Sequence, residues 1–489
     1  MTTPEPATPP LPGNSPSLVI LGVPLHHATF DSAVAWIAAR VLSGRPGIVA
    51  TVNLDFLMQS WRDPELQRIL LEADLVLADG QPVVWLSRLL GPTLPQRVTG
   101  SDLVPKLAAN GPLRLFLLGG GPGVAEKAGA VLCAKNPALT IVGAFSPPPA
   151  KLLDMDHAGL LRQFDAAKAQ VLLVAFGAPK QEKFINLHRR NWSIPVAIGV
   201  GGTLDFLAGV QVRAPRWVQK LALEWAWRLA LAPKRLAQRY GLNLIFLAGA
   251  LSGLAAARLR PAGRRPVAAD APEWSLLPSL KARHVVLPPI GSVATAAKVV
   301  AEWQEKPAHL IIDLGQHAWL GSLALGVLVE AAHRLRDMGH HVLLVGVGKR
   351  VEKLLRLYRL DRYLPIAVTA DQAVRILRER LSDLAAGHVA IDPLGAMVVE
   401  LPQEFNSRSV AKVMARIEEA WGAKVPAGVV VDAAAVTYVD SSGLGALVGL
   451  DRRARTAGIP FRCFGWRDHA MTTVRISGLA PLLLPAEAR

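Results

Sequence analysis

The chain has 489 residues, of which 51% are apolar and 41 are glycine. That length is too great for one ordinary domain and argues for about three, and the composition fits packed α/β modules rather than a disordered chain. The net charge of +16 calls for anionic partners. The two cysteines, Cys133 and Cys463, give neither a disulfide framework nor zinc-ligand spacing, and read as buried thiols in a reducing cytoplasmic compartment.

Residues 1–17 are rich in Pro and Thr and lack the charged start and apolar core of a secretion signal, so they read as a disordered lead-in. From residue 18 to 200, apolar runs alternate with amphipathic stretches. The runs predict strands at Ile48–Asn53, Leu75–Ala78, Leu113–Leu118, Thr140–Ala144, Val171–Phe176 and Val196–Val200. Helical patterns lie between them, among them Pro64–Glu72 and Val124–Lys135. Strands separated by helices argue for a Rossmann-like parallel sheet covered on both faces.

Polar residues follow these strands. Thr51 and Asn53 end the first, and Asp79-Gly80 end the second. Arg97-Val98-Thr99-Gly100-Ser101-Asp102 comes next, then the glycine-rich run with Gly120 and Gly121. Phe176-Gly177-Ala178-Pro179-Lys180-Gln181-Glu182 and Gly201-Gly202-Thr203-Leu204-Asp205 complete the set. Ligands of open α/β sheets sit at the carboxyl ends of strands, so these residues form a candidate enzyme site. Arg97 suits a diphosphate, because a guanidinium fork binds phosphate bidentately. Asp102 suits either a helix cap or a ligand contact. The glycine run lets backbone amides approach a phosphate, but it is not a P-loop, since no Gly-Lys-Ser/Thr follows. No His/Glu pair or Asp-x-Asp stands near these loops, so no metal or cofactor is demanded. The departing anion must then be met by Arg, Lys and backbone donors.

Residues 206–265 hold eleven Lys or Arg against one acidic residue, Glu224. Residues 214–257 read as helix throughout, with Pro215 in a first turn. Arg213, Arg216, Arg228, Arg235 and Arg239 are candidates to bind diphosphates, and Trp217, Trp225 and Trp227 to seat the stretch at a lipid interface. Gly241–Ala257 carries no charge over 17 residues but falls short of the roughly 20 that a bilayer span needs. An interfacial helix, or one buried against a partner, fits better. Nucleic acid is excluded as a partner, because the basic block lacks interleaved aromatic platforms on a recognised binding fold.

A Pro- and Arg-rich linker, residues 258–276, precedes an internal repeat. The segment from Asp313 aligns with that from Asp432, and the same offset of 119 maps Gly339 onto Gly458, Gly346 onto Gly465 and Leu360 onto Leu479.

Residues 18–245 resemble the WecG/TagA/CpsF glycosyltransferases. The resemblance is carried by six motifs in order. They are Thr-x-Asn, Asp-Gly, Arg-Val-x-Gly-x-Asp, Gly-x-Pro-Lys-Gln-Glu, Gly-Gly-Thr-x-Asp-Phe-x-Ala-Gly, and the closing Arg-Ala-Pro-x-Trp with Glu-Trp-x-x-Arg-Leu. It implies inverting transfer of an N-acetylhexosamine, or its uronic acid, from a UDP-sugar to a polyprenyl-diphosphate-linked sugar. The setting it implies is bacterial cell-surface or exopolysaccharide synthesis, peripheral to the cytoplasmic face of the plasma membrane. It makes Asp79 the catalytic base, with Thr51 and Asn53 beside it. It also places Gly202, Thr203 and Asp205 near the uridine and diphosphate, and Lys180 and Gln181 near the sugar or nucleotide. Val52 stands where the family usually has Pro, and Ala232 where it often has an acidic residue.

The repeats resemble STAS domains. Tyr438-Val-Asp-Ser-Ser-Gly-Leu-Gly matches their switch motif and makes Ser441 the phosphorylation candidate, with a kinase or another protein as partner. The first copy has Gly321, Ser322, Leu323 and Ala324 there, and is expected to be structural or to bind constitutively. The expected layout is a lead-in at 1–17, a transferase core at 18–212, a basic helical appendage at 213–257 and a linker at 258–276. A degenerate STAS domain at 277–385 and a second STAS domain at 386–489 follow. The alternative reading is a signalling scaffold whose transferase half binds a sugar nucleotide and which acts through the STAS domains without turnover.

Overall fold

The structure is a computed structural model. It describes residues 17–484 apart from 153–154, 190, 213, 216–217, 219–226, 228–232, 264–273, 276, 384–386, 407–408, 424, 477–478 and 480–482. Its contacts fall into two compact units. One runs to Ser146 and adds Lys168–Gln181 and Ile194–Ala370; the other holds Pro147–Ala167, Glu182–Ser193 and Asp371 onward.

The first unit opens with a hairpin, β1 (Ser17–Ile20) and β2 (Val23–His26), which the apolar periodicity had not marked. Strands β3 (Gly47–Val52), β4 (Leu75–Ala78), β5 (Arg114–Gly119), β6 (Thr140–Phe145), β7 (Val171–Ala175) and β8 (Val196–Gly199) fall within a residue or so of their predicted bounds. They make one six-stranded sheet in the order β4-β3-β8-β7-β5-β6, parallel throughout. Their near-continuous Val, Leu and Ile content follows from burial on both faces. Side chains at alternate positions, such as Leu75 and Leu77, Leu115 and Leu117, and Val171 and Leu173, share one core with Val34, Leu103 and Ala128 from flanking helices.

Local chemistry sets the helix starts. Helix α1 (Phe30–Ser43) begins at a capping box in which Thr29 and Ser32 satisfy each other's backbone. Asn53 caps α2 (Leu54–Arg62), accepting the Phe56 N–H. Asp63, followed by Pro64, caps α3 (Pro64–Leu71). Helices α4 (Gln81–Leu90), α5 (Gly100–Ala109) and α6 (Val124–Lys135) complete this series.

The first repeat belongs to the same unit. Its strands β9 (Ala282–Val286), β10 (His309–Asp313) and β11 (Val342–Val345) are parallel, in the order β11-β10-β9. Its 322–337 helix lies on β1, and nearby contacts fix the arrangement. The Gln67 carboxamide donates to the Tyr358 carbonyl at 2.7 Å, and Arg336 meets Glu72 at 3.0 Å. The 233–259 helix also packs here. Its Asn243, Ala250 and Ala257 are buried at spacings of two turns, and Phe246 meets Trp61 edge-on with ring centres 4.7 Å apart.

The second unit contains α7 (His157–Ala167), most of α8 (Lys180–His188) and the second repeat. There β12 (His388–Ile391), β13 (Ala396–Glu400), β15 (Gly428–Asp432) and β17 (Phe461–Phe464) form a sheet in that order, with β12 antiparallel to β13. The short β14 (Glu404–Phe405) and β16 (Tyr438–Val439) pair separately. The offset of 119 maps β10 onto β15, β11 onto β17, and the 322–337 helix onto the 441–456 helix, residue for residue. It changes to 114 for β9 and β13. Cys463 is buried, with burial pushing its thiol up to about 12, whereas Cys133 is only partly covered.

Candidate active site

The polar residues singled out in the sequence gather along the carboxyl edge of the six-stranded sheet. Neighbouring β5 and β7 lead off in opposite directions, β5 toward β6 and β7 toward β8, which is the arrangement that favours a ligand crevice at their carboxyl ends. The loops touch in sequence. The Asp79 N–H donates to the Val52 carbonyl at 2.8 Å, so Asp79 leaves β4 beside the end of β3. The Val98 N–H donates to the Ala78 carbonyl at 2.8 Å, which lays the Arg97–Gly100 segment along the same edge. A Cβ on Gly100 would lie 3.2 Å from the Thr203 hydroxyl and 3.6 Å from that of Thr51, so the start of α5 packs closely between those two loops.

Asp79 does not cap the helix after it. That position is Gly80, at a φ of 122° open to glycine, and α4 starts with no side-chain cap. Asp79 itself stands half-buried at the strand end, one residue before that cap position. Asn53, by contrast, uses its side-chain oxygen as the α2 cap. Thr51 is buried and donates to the Gly199 carbonyl at 3.2 Å, pinning β3 to β8. Asp102 sits in the first turn of α5, where its carboxylate accepts from the Thr99 hydroxyl at 2.9 Å.

The glycine run after β5 turns sharply, with Gly119, Gly120 and Gly123 at positive φ. The Gly120 N–H donates to Ala175 at the end of β7 at 3.3 Å, which keeps this turn against the next loop. Beyond β7, Gly177 turns at a φ of 75° and the Ala178–Pro179 peptide is cis. Gln181 is almost wholly buried, and its carboxamide oxygen accepts the N–H groups of Gly177 at 3.1 Å and Gly201 at 3.0 Å. The Lys180 ammonium stands 4.9 Å over the Phe176 ring, and burial lowers its pKa.

Beyond β8, Gly201 and Gly202 lead into α9 (Thr203–Leu207). The Thr203 hydroxyl donates to the Val200 carbonyl at 2.6 Å. Burial raises the pKa of Asp205, whose carboxylate accepts from Gln211 at 3.3 Å. Gln211 carried no signal in the sequence, since a lone loop Gln is common. Of the basic appendage, Arg213, Arg216, Arg228, Trp217 and Trp225 lie outside the described residues, as do the side chains of Arg235 and Arg239. Among the described residues, no cluster of three or more His, Cys, Asp or Glu is arranged to hold a metal ion.

Comparison with known proteins bears on this edge. The family model described as "Glycosyl transferase WecG/TagA/CpsF family" matches residues 18–260, and the STAS domain model matches residues 289–373 and 389–487. The N-acetylglucosaminyldiphosphoundecaprenol N-acetyl-beta-D-mannosaminyltransferase of Bacillus subtilis (strain 168) is 30% identical over 220 residues, covering 44% of this chain and 84% of the relative. The chain belongs to the WecG/TagA/CpsF glycosyltransferase family.

A relative of the same name comes from Bacillus spizizenii, 30% identical over 38% of this chain and 72% of the relative. Another is from Staphylococcus aureus (strain MRSA252), 27% identical over 46% of this chain and 88% of the relative. Each of these matches covers less than half of this chain. Beyond the transferase region this chain carries two STAS domains. In the second, Asp440 caps the 441–456 helix and accepts the Gly443 N–H at 2.9 Å; in the first, Gly321 takes that place and offers no side-chain cap.

Proposed function

We propose that this glycosyltransferase moves an N-acetylhexosamine from a UDP-sugar to a polyprenyl-diphosphate-linked sugar, with inversion, in bacterial cell-surface or exopolysaccharide synthesis. The observation that carries the reading is Asp79, delivered by β4 to the carboxyl edge beside the end of β3, one residue before the helix that follows. In this mechanism Asp79 takes the proton of the acceptor hydroxyl. The acceptor oxygen bonds to the anomeric carbon, the bond from that carbon to the diphosphate breaks, and UDP leaves with the electron pair. Arg97, Lys180, the amides of Gly120 and Gly121, and the Gly202–Asp205 turn meet the anion, helped by Arg213, Arg216, Arg228, Arg235 and Arg239. Thr51 and Asn53 fix the end of β3 beside Asp79. The name shared by the relatives makes UDP-N-acetylmannosamine the first donor to try and N-acetylglucosaminyl-diphospho-undecaprenol the first acceptor.

The Tyr240–Leu259 stretch is a 20-residue segment whose most apolar 18 residues have a mean hydropathy of 1.6, with 17% of them buried. One face packs on the protein while Leu244 and Ile245 project outward, which suits an interfacial helix at the cytoplasmic membrane surface better than a span. In this reading the STAS pair regulates the enzyme through a kinase or protein partner, with Ser441 as the phosphorylation site. The reading is tested by incubating the full chain with radiolabelled UDP-N-acetylhexosamines and a short-chain polyprenyl-diphosphate-GlcNAc. Label transferred to lipid supports it. Binding of UDP-sugar without transfer to any acceptor favours a sensing scaffold instead.

A further inference from the structure

Within the second unit, the switch helix of the second STAS domain is already occupied. The Asn186 carboxamide of α8 donates to the Ser441 hydroxyl at 2.6 Å and to Ser442 at 3.3 Å. One turn on, Asn191 donates to the Gly445 carbonyl at 2.9 Å. Arg452 closes the contact on the Asn191 carbonyl and the Asp165 carboxylate. The fit needs glycine. A Cβ at Gly445 would fall 2.0 Å from the Leu187 carbonyl oxygen, and one at Gly449 would fall 2.3 Å from the Asn191 side-chain oxygen.

The first STAS domain presents the same helix face. Its Ser322, Gly326 and Glu330 stand at the positions of Ser441, Gly445 and Gly449. A Cβ at Gly326 would fall 1.6 Å from the Ser17 carbonyl oxygen, and one on Gly91 would fall 1.9 Å from the Ser322 hydroxyl. Glu330 reaches His26 at 3.9 Å. Two copies of one fold thus use one face, at helix positions one turn apart, against two unrelated segments of the transferase region. Packing accidents of a tethered domain would not select the same face twice.

We propose that this serine–glycine face is a self-docking surface. In the second STAS domain its occupant is the transferase segment 182–193, and the contact holds α8, and with it the Lys180–Gln181 motif at the same helix's first turn, in register for the donor. Only the last step rests on the function proposed above. A charged group on Ser441 has to displace Asn186, so the same contact is where a modification would be felt by the transferase.

Hydrogen–deuterium exchange on the full chain tests the docking without turnover. Gly445→Leu, and the milder pair Asn186→Ala with Asn191→Ala, are expected to speed exchange of 182–193 and 441–452 together, by about tenfold or more, while β8 and β10 stay protected. Folded variants in which 182–193 exchanges as in wild type overturn the docking. The milder pair serves if Gly445→Leu does not fold. Donor KM then tests the positioning. A rise of about tenfold with kcat within about twofold supports it, and an unchanged KM in a variant with loosened α8 overturns it. If the wild type transfers no sugar at all, the proposed function fails while the exchange result still decides the docking.

Discussion

The Gln181 carboxamide oxygen accepts the Gly201 N–H at 3.0 Å, and the same oxygen accepts the Gly177 N–H. One buried side chain thereby joins the loops after β7 and β8, which border the donor in the proposed mechanism. Gln181→Leu strands two backbone donors, and an unsatisfied buried donor costs about 1–3 kcal/mol. Urea unfolding is expected to show a loss in that range, with a raised donor KM. Gln181→Glu keeps an acceptor oxygen and should raise KM less. A Gln181→Leu enzyme with wild-type stability and KM would contradict this role.

His26 and His188 are expected to make the fold acid-sensitive. Burial first, opposed in part by Glu330, lowers the pKa of His26. Burial first, then His157 at 2.7 Å, holds His188 well below 6.5. Both imidazoles are neutral in the folded chain, whereas the unfolded chain binds their protons near the ordinary value. Stability is therefore full above about pH 6.5 and falls as the pH drops toward the folded values, by up to about 1.4 kcal/mol per pH unit for each proton. Denaturant titrations across that range check this. His26→Asn and His188→Asn should each flatten the dependence, and an unchanged slope in both would refute it.

Leu244 and Ile245 are 66% and 71% exposed on a helix whose opposite side is packed. If that outer face lies in the membrane interface, Leu244→Glu with Ile245→Glu should abolish binding to anionic phospholipid vesicles. Transfer to a soluble short-chain acceptor should stay intact. Salt should weaken wild-type vesicle binding only in part, because the apolar share is not screened. Full vesicle binding by the double variant would rule out this face.

The sheet was legible because a strand buried on both faces must read as an unbroken apolar run, and such runs, as at Leu75–Ala78, end where the polar loops begin. The positions of Asp79, Thr203 and Gln181 at those ends followed directly. The partners of Thr51, Asn53 and Gln181 did not, because a polar residue that ties backbone together looks in sequence like one that waits for a ligand. The repeat was legible from a constant offset, which holds over helix and strand alike. What each repeat packs against was not, since Gly326 and Gly445 betray close approach only once Ser17 and Leu187 are seen beside them. The β1–β2 hairpin was missed because its two four-residue strands, split by Leu21-Gly22, are too short for periodicity to mark.

The central claim is that Asp79 is the base, and it is most directly tested by Asp79→Asn, measuring donor binding and sugar transfer in parallel. Asn preserves size and removes the proton acceptor. UDP-sugar affinity is expected within about twofold of wild type and transfer reduced by about a hundredfold or more, the scale of a lost general base. Transfer near the wild-type rate with ligands bound would contradict it, and another group would have to take the acceptor's proton.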